Sequence, residues 1–120
     1  MTRIIAQLRT TDLEESIEFF TTKLGCELDF RYQDFYAGIR YDDEIFHLKL
    51  VDEGDPDIGF VEQNEHFHLY FEVDDLVAVS DQFKSNEVYF IMDIHDTPWG
   101  ARELAVRDNQ GHILYFGNSS

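Results

Sequence analysis

An Asp-Leu pair placed to open a helix occurs at residues 12–13 and again at 75–76, 63 positions later. Each pair follows a strand-like run, and each is followed by a helical stretch and then three more strand-like runs. This order, strand–helix–three strands written twice, constrains the fold more than any other feature of the chain. A unit of roughly 60 residues is too small to bury much apolar surface alone. The two halves are therefore expected to pack into a single domain over residues 1–120, with modules at about 1–54 and about 64–118. The fold class this implies is α+β: two βαβββ modules forming a curved eight-stranded mixed sheet around a cavity, helices outside.

The local signals agree with the repeat. In "TDLEESIEFFTTKLG", Asp12 is placed as an N-cap and Glu15 stands three residues later, as in a capping box. Leu13, Ile17, Phe20 and Leu24 share one helical face, and Gly25 is placed to end the helix in a left-handed turn. "DDLVAVSDQFKS" repeats the pattern with Leu76, Val79 and Phe83. "RIIAQLR", "CELDFRY", "FYAGIRY", "EIFHLKLV", "HFHLYFEV", "EVYFIMDI", "ARELAVRD" and "HILYFGN" read as strands. "DEGDPDIGFVEQNE", polar and carrying Gly and Pro, reads as a long loop, "HDTPWG" as a loop and "RDNQGH" as a turn.

Charge excludes several classes of partner. With 25 acidic residues against 9 basic, the formal net charge is -16, and such a field repels nucleic acid and anionic membranes. A cationic small molecule is attracted. No apolar stretch approaches the ~20 residues of a membrane span, and the N-terminal run is too short for a signal peptide. Cys26 is the only cysteine, which fits a reducing compartment, so a cytoplasmic location is expected. Eleven Phe and six Tyr supply more aromatic surface than a core of this size needs, and the surplus can line a pocket.

"EHFHLYFEV" raises the question of chemistry. Strict alternation puts Phe67, Leu69, Phe71 and Val73 on one face, and His66, His68, Tyr70 and Glu72 on the other. Moving His68 back by the offset of 63 reaches Ile5, and the fourth strands of the two modules supply His47 and Tyr115. Ile5, His47, His68 and Tyr115 are thus expected to face one another. Only two of the four are imidazoles, whereas a catalytic metal ion usually takes three protein ligands. His66 adds a third only by a register shift, because it lies ~6–7 Å along the strand from His68. His47 and His68 can instead be polar wall residues of a groove. His95 and His112 read as surface loop and strand-edge residues.

The runs "TDLEESIEFFTTKLGCEL", "VDDL" and "PWGARELAVRDNQGHILYF", in this strand order, resemble the vicinal oxygen chelate superfamily of glyoxalases, extradiol dioxygenases, fosfomycin-inactivating thiol transferases and bleomycin resistance proteins. In its metal-using families, ligands come from the first and fourth strands of each module, and here that set would be Ile5, His47, His68 and Tyr115. The similarity is strongest to the bleomycin-binding proteins, in "LDFRYQDFYAGIRYDDEIF" and "TPWGARELAVRD". It implies a homodimer whose grooves sequester a cationic aromatic drug without chemistry and without a metal. The residues it implies for ligand binding are Asp29, Phe30, Phe35, His47, His68, Tyr70, Trp99 and Tyr115. Against that role, Phe30 reads more readily as core, Phe35 equally as core or groove, and Asp29 and Glu72 as solvated charges. Arg102 and Glu103 read as a structural ion pair. Tyr36 and Ala101 look like insertions relative to the family, Asn109 replaces its usual Pro, and His68 replaces a larger aromatic. The alternative is a metal-dependent glyoxalase- or dioxygenase-type enzyme using His47 and His68 with one divalent ion.

Overall fold

The repeat reappears as a physical pseudo-twofold axis. In the computed structural model, which describes residues 2–63 and 68–119, Lys23 Nζ donates to the Asn86 carbonyl (2.8 Å) and Asn86 Nδ2 donates to the Lys23 carbonyl (3.0 Å). These two residues are 63 apart, so a reciprocal bond between them lies on the axis relating the modules. Phe20 and Phe83, also 63 apart, are both fully buried. Phe20 packs edge-on to Phe46 at 5.0 Å, and Phe83 edge-on to Phe116 at 5.0 Å. The same aromatic pair, helix against fourth strand, is built twice.

The first module comprises β1 (Gln7–Thr10), α1 (Leu13–Glu18), β2 (Glu27–Tyr32), β3 (Tyr36–Tyr41) and β4 (Glu44–Leu50). The second comprises β5 (Leu69–Glu72), α3 (Leu76–Ser85), β6 (Phe90–Asp96), β7 (Ala101–Arg107) and β8 (Ile113–Ser119), with α2 (Pro56–Glu62) between them. The eight strands form two four-stranded mixed sheets, ordered β1-β4-β3-β2 and β5-β8-β7-β6. In each, the first and fourth strands pair in parallel and the others antiparallel. The α+β class stands, with the eight strands divided between two sheets. No helix among the described residues is long and apolar enough to cross a membrane.

Caps fix the helix starts. Asp12 accepts from the Glu15 amide (3.0 Å), and Asp75 accepts from the Ala78 amide (3.1 Å), the same cap 63 residues on. The returning half of a capping box is absent at α1, where the Asp12 amide donates to Thr10 Oγ1 and Glu15 accepts from Asn109. The helix continues through a π-helical turn, Phe19–Lys23, and ends at Gly25 with φ +77.

Three sequence expectations are corrected. The loop expected over residues 52–65 is not simply a loop as far as residue 63, beyond which it leaves the described residues: Asp55 caps α2 by accepting from the Asp57 amide, Pro56 occupies the first turn, and Ile58 and Val61 bury one face. Arg9 ties that helix down through Asp55 (3.1 Å) and Asp57 (3.3 Å). The first strand starts at Gln7 rather than Arg3, and Ile4 stands 96% exposed. His112 is not at a surface edge but is buried against Asp108 at 2.7 Å.

The turn that carries Asp108 also clasps the first module. Asp108 Oδ1 accepts the amides of Gln110, Gly111 and His112. The turn so folded presents Gln110 Oε1 to Thr10 Oγ1, the Thr11 amide and Thr11 Oγ1, and Asn109 to Ser16.

Candidate functional site

Strand register sets which side chains share a sheet face. Gln7 lies opposite His47 in the β1–β4 ladder, and Tyr70 lies opposite Tyr115 in the β5–β8 ladder. The corners expected at Ile5 and His68 are therefore two residues further along the chain: Gln7 and Tyr70, 63 apart, occupy the equivalent places. His66 lies outside the described residues. His68 still meets Tyr115, edge-on at 5.5 Å, while Tyr70 stacks parallel to Tyr115 at 6.5 Å.

On the first sheet, the Tyr36 hydroxyl lies 2.9 Å from His47 Nδ1, and Gln7 Nε2 donates to the same hydroxyl (3.1 Å). Phe30 stacks over Tyr36 and meets His47 edge-on at 5.2 Å. Its ring fits because residue 38 is glycine, where a Cβ would run into it. Phe30 is 39% exposed, a partly open aromatic rather than a core residue. Phe35 is also exposed and meets Tyr32 edge-on at 5.5 Å. Asp29 is the extra residue of a bulge in β2 and lies 3.8 Å from Arg40, which also holds Glu27 at 2.7 Å.

On the second sheet, Tyr70, Tyr115, Met92, His95 and Trp99 line a cavity of about 430 Å³, together with Asp96, Thr97, Pro98 and Glu103. Its rim is a tight turn. The Gly100 amide donates to the Thr97 carbonyl (3.2 Å), Pro98 holds the second position, and Gly100 takes φ +88. Thr97 Oγ1 accepts from the Ala101 amide and donates to the Ala101 carbonyl, pinning both ends. Trp99 is displayed from this turn with 72% of its surface open. Met92 and His95 reach the same cavity although three residues apart, because β6 slips register on both sides of Met92.

Glu103 is the buried charge of this cavity, only 7% exposed. It is not paired with Arg102, which instead lies 3.4 Å from Asp96. The Tyr70 hydroxyl lies beside Gly117, the residue opposite Glu103 in the β7–β8 ladder. Burial first, then the proximity of Glu103 and the negative charges of Glu103 and Glu72, hold the Tyr70 phenol above its ordinary range. Gly117 lies opposite Glu103 in the ladder, and its missing side chain leaves room for the Tyr70 hydroxyl.

Residues 4–116 match the family model for the glyoxalase/bleomycin resistance protein/dioxygenase superfamily. The chain belongs to this superfamily. Superfamily members of known structure superpose over nearly the whole chain. The bleomycin resistance determinant encoded on transposon Tn5 shares 18% identity at a TM-score of 0.82, covering 100% of this chain and 99% of that one. The bleomycin-binding protein of Streptomyces verticillus, complexed with copper(II)-bleomycin, shares 22% at 0.74, with 100% and 99% covered. A lactoylglutathione lyase of Agrobacterium tumefaciens shares 17% at 0.75, with 98% and 94% covered. At these identities the likeness is one of fold, shared by binders and enzymes alike. No curated protein matches the sequence.

For a superfamily chain the first question is whether the donors fit a metal. Among the described residues no group of three or more His, Cys, Asp or Glu side chains could hold one. His47 Nδ1 is taken up by Tyr36, and His68 meets Tyr115 on the other sheet. Gln7 and Tyr70, which fill the first-strand corners, are weak ligands. The donors among the described residues do not make a set for a divalent ion. Among the described residues, no ring contact or hydrogen bond joins the group of Phe30, Tyr36 and His47 to that of His68, Tyr70 and Tyr115. The site is two half-sites, one on each sheet. Of the residues named from the sequence, Tyr70, Trp99 and Tyr115 line the second-sheet cavity; Met92, His95 and Glu103 line it as well, and Tyr36 lies beside His47.

Proposed function

We propose that this protein binds and sequesters a cationic aromatic small molecule without transforming it, in the manner implied by its bleomycin-binding relatives. The observation that carries the reading is the second-sheet cavity, where an open Trp99, two tyrosines and Met92 surround the carboxylates of Glu103 and Asp96. Aromatic faces and buried negative charge recognise a flat cation. Stacking contributes ~0.5–1.5 kcal/mol per ring pair, and a cation over Trp ~0.5–2 kcal/mol. The net charge of -16 speeds the encounter and makes it salt-dependent.

Sequestration asks for no nucleophile, general base or metal. A homodimer completes the reading, since a second copy can bring its first-sheet half-site, with Phe30, Phe35 and His47, to face the second-sheet cavity. The run of exposed apolar residues Leu28, Phe30, Tyr32 and Phe35 along one sheet supports such a covered face. The test is calorimetry with metal-free bleomycin, the ligand class of the relatives. Saturable binding at one molecule per chain, with the drug recovered unchanged, is expected. An absence of heat removes the drug class.

A further inference from the structure

Glu103 has no part in the ladder or the core that requires a charge. Along β7, Leu104 and Val106 turn into the core, while Glu103 and Ala105 belong to the face covered by Tyr70, Tyr115 and Trp99. A carboxylate there is desolvated by the rings, which costs free energy unless partners return it. The Tyr70 hydroxyl stands beside Gly117, directly opposite Glu103 in the ladder. An ionised carboxylate offers about four acceptor sites, and the neighbouring cation, Arg102, is spent on Asp96. What remains is acceptor capacity opening into a cavity with an aromatic rim.

We propose that Glu103, beside the Tyr70 hydroxyl, is the charge-recognising anchor of this cavity, and that it selects a cation bearing N–H groups, such as an amidinium or primary ammonium, over a quaternary ammonium. The proposal rests on the binding reading above and deepens it. An N–H cation forms charge-assisted hydrogen bonds to Glu103 while its ring lies against Trp99 or Tyr115. A quaternary ammonium has no proton to donate and keeps only the ring faces and the carboxylate's unbonded charge. Trp99, carried on the rim turn, therefore supplies the surface, and Glu103 supplies the discrimination.

Trp99 is the only tryptophan, so its emission reports on the cavity directly. The probes are benzamidine and phenyltrimethylammonium, similar in size and charge but differing in N–H donors. Wild-type protein should bind benzamidine about tenfold or more tightly than phenyltrimethylammonium, the ratio expected for a charge-assisted hydrogen bond. Glu103→Gln should weaken benzamidine binding far more than phenyltrimethylammonium binding and so remove that preference. Tyr70→Phe, which keeps the carboxylate, should narrow the preference without abolishing it. Equal affinity for both probes in wild type, no response to either at millimolar concentration, or an undiminished preference in Glu103→Gln would overturn the proposal. The wild-type comparison decides even if Glu103→Gln does not fold. The two readings fail separately. Bleomycin binding without the probe preference removes the anchor and keeps sequestration. A Glu103-dependent preference without bleomycin binding keeps the anchor and removes the drug class.

Discussion

Replacing Asp108 by alanine should be among the most damaging single changes in this protein, because one side chain organises both a turn and the contact between modules. Its Oδ1 accepts three amides, from Gln110 (3.0 Å), Gly111 (2.9 Å) and His112 (2.7 Å), and its Oδ2 accepts from His112 Nδ1 at 2.7 Å. The amides of Gln110 and Gly111 are partly open, so water can replace the carboxylate there. His112 is 3% exposed, and both of its bonds to Asp108 would be lost in the dark of the core. Two buried donors deprived of their acceptor cost ~1–3 kcal/mol each, so a loss of about 3–5 kcal/mol is expected. For a chain of 120 residues this lowers Tm by roughly 10–20 °C. Asp108→Asn keeps an acceptor for the amides and should cost about half as much. The assay is urea unfolding followed by circular dichroism, with both variants compared at equal m. A loss below about 1 kcal/mol for the alanine variant, or equal losses for the two, would refute this account of the turn.

Burial, with the Asp42 charge adding to it, pushes the Cys26 thiol up to about 12, so thiol reagents at neutral pH should modify it only on unfolding. The raised value makes the folded state hold a proton that the unfolded thiol releases above its ordinary value of 9.0. Stability from this source is therefore whole below pH 9 and falls by about 1.4 kcal/mol per pH unit up to about pH 12. Cys26→Ala should flatten that part of the alkaline unfolding curve; an unchanged slope contradicts it. Gly117→Ala places a methyl group against the Tyr70 hydroxyl and 3.0 Å from the Arg102 carbonyl, which should cost about 1–3 kcal/mol in thermal unfolding and weaken ligand binding together. Trp99→Ala should leave stability within about 0.5 kcal/mol, since the side chain is 72% exposed, while calorimetric affinity falls by about tenfold. A stability loss with unchanged affinity would place Trp99 in the fold instead of the site.

What could be read from the sequence was whatever repeats or caps. The 63-residue offset located Asp12 and Asp75, Phe20 and Phe83, and these form the same caps and the same buried pair. The helix α2 was legible in principle, since Asp55-Pro56 is a cap and first-turn pair and Ile58 and Val61 share a face, but Gly and Pro argued for a loop. Register was not legible. Applying the offset to His68 reaches Ile5, yet the ladders oppose Gln7 to His47 and Tyr70 to Tyr115, a step of two residues that keeps the face and changes the corner. Bulges break the period-two alternation twice, at Asp29 in β2 and around Met92 in β6. Glu103 and His112 are polar residues that look like surface in any local pattern. Only the rings above Glu103 and the Asp108 turn around His112 bury them.

The central claim is that a doubled, aromatic-lined scaffold holds its ligand and returns it intact. Its most direct measurement is titration calorimetry of the whole protein with metal-free bleomycin, with the bound drug afterwards released and analysed by mass spectrometry. Saturation at one molecule per chain, insensitive to chelator, and an unaltered drug mass are the predicted results. No saturable heat, or a drug whose mass changes when divalent ions are supplied, would contradict the claim.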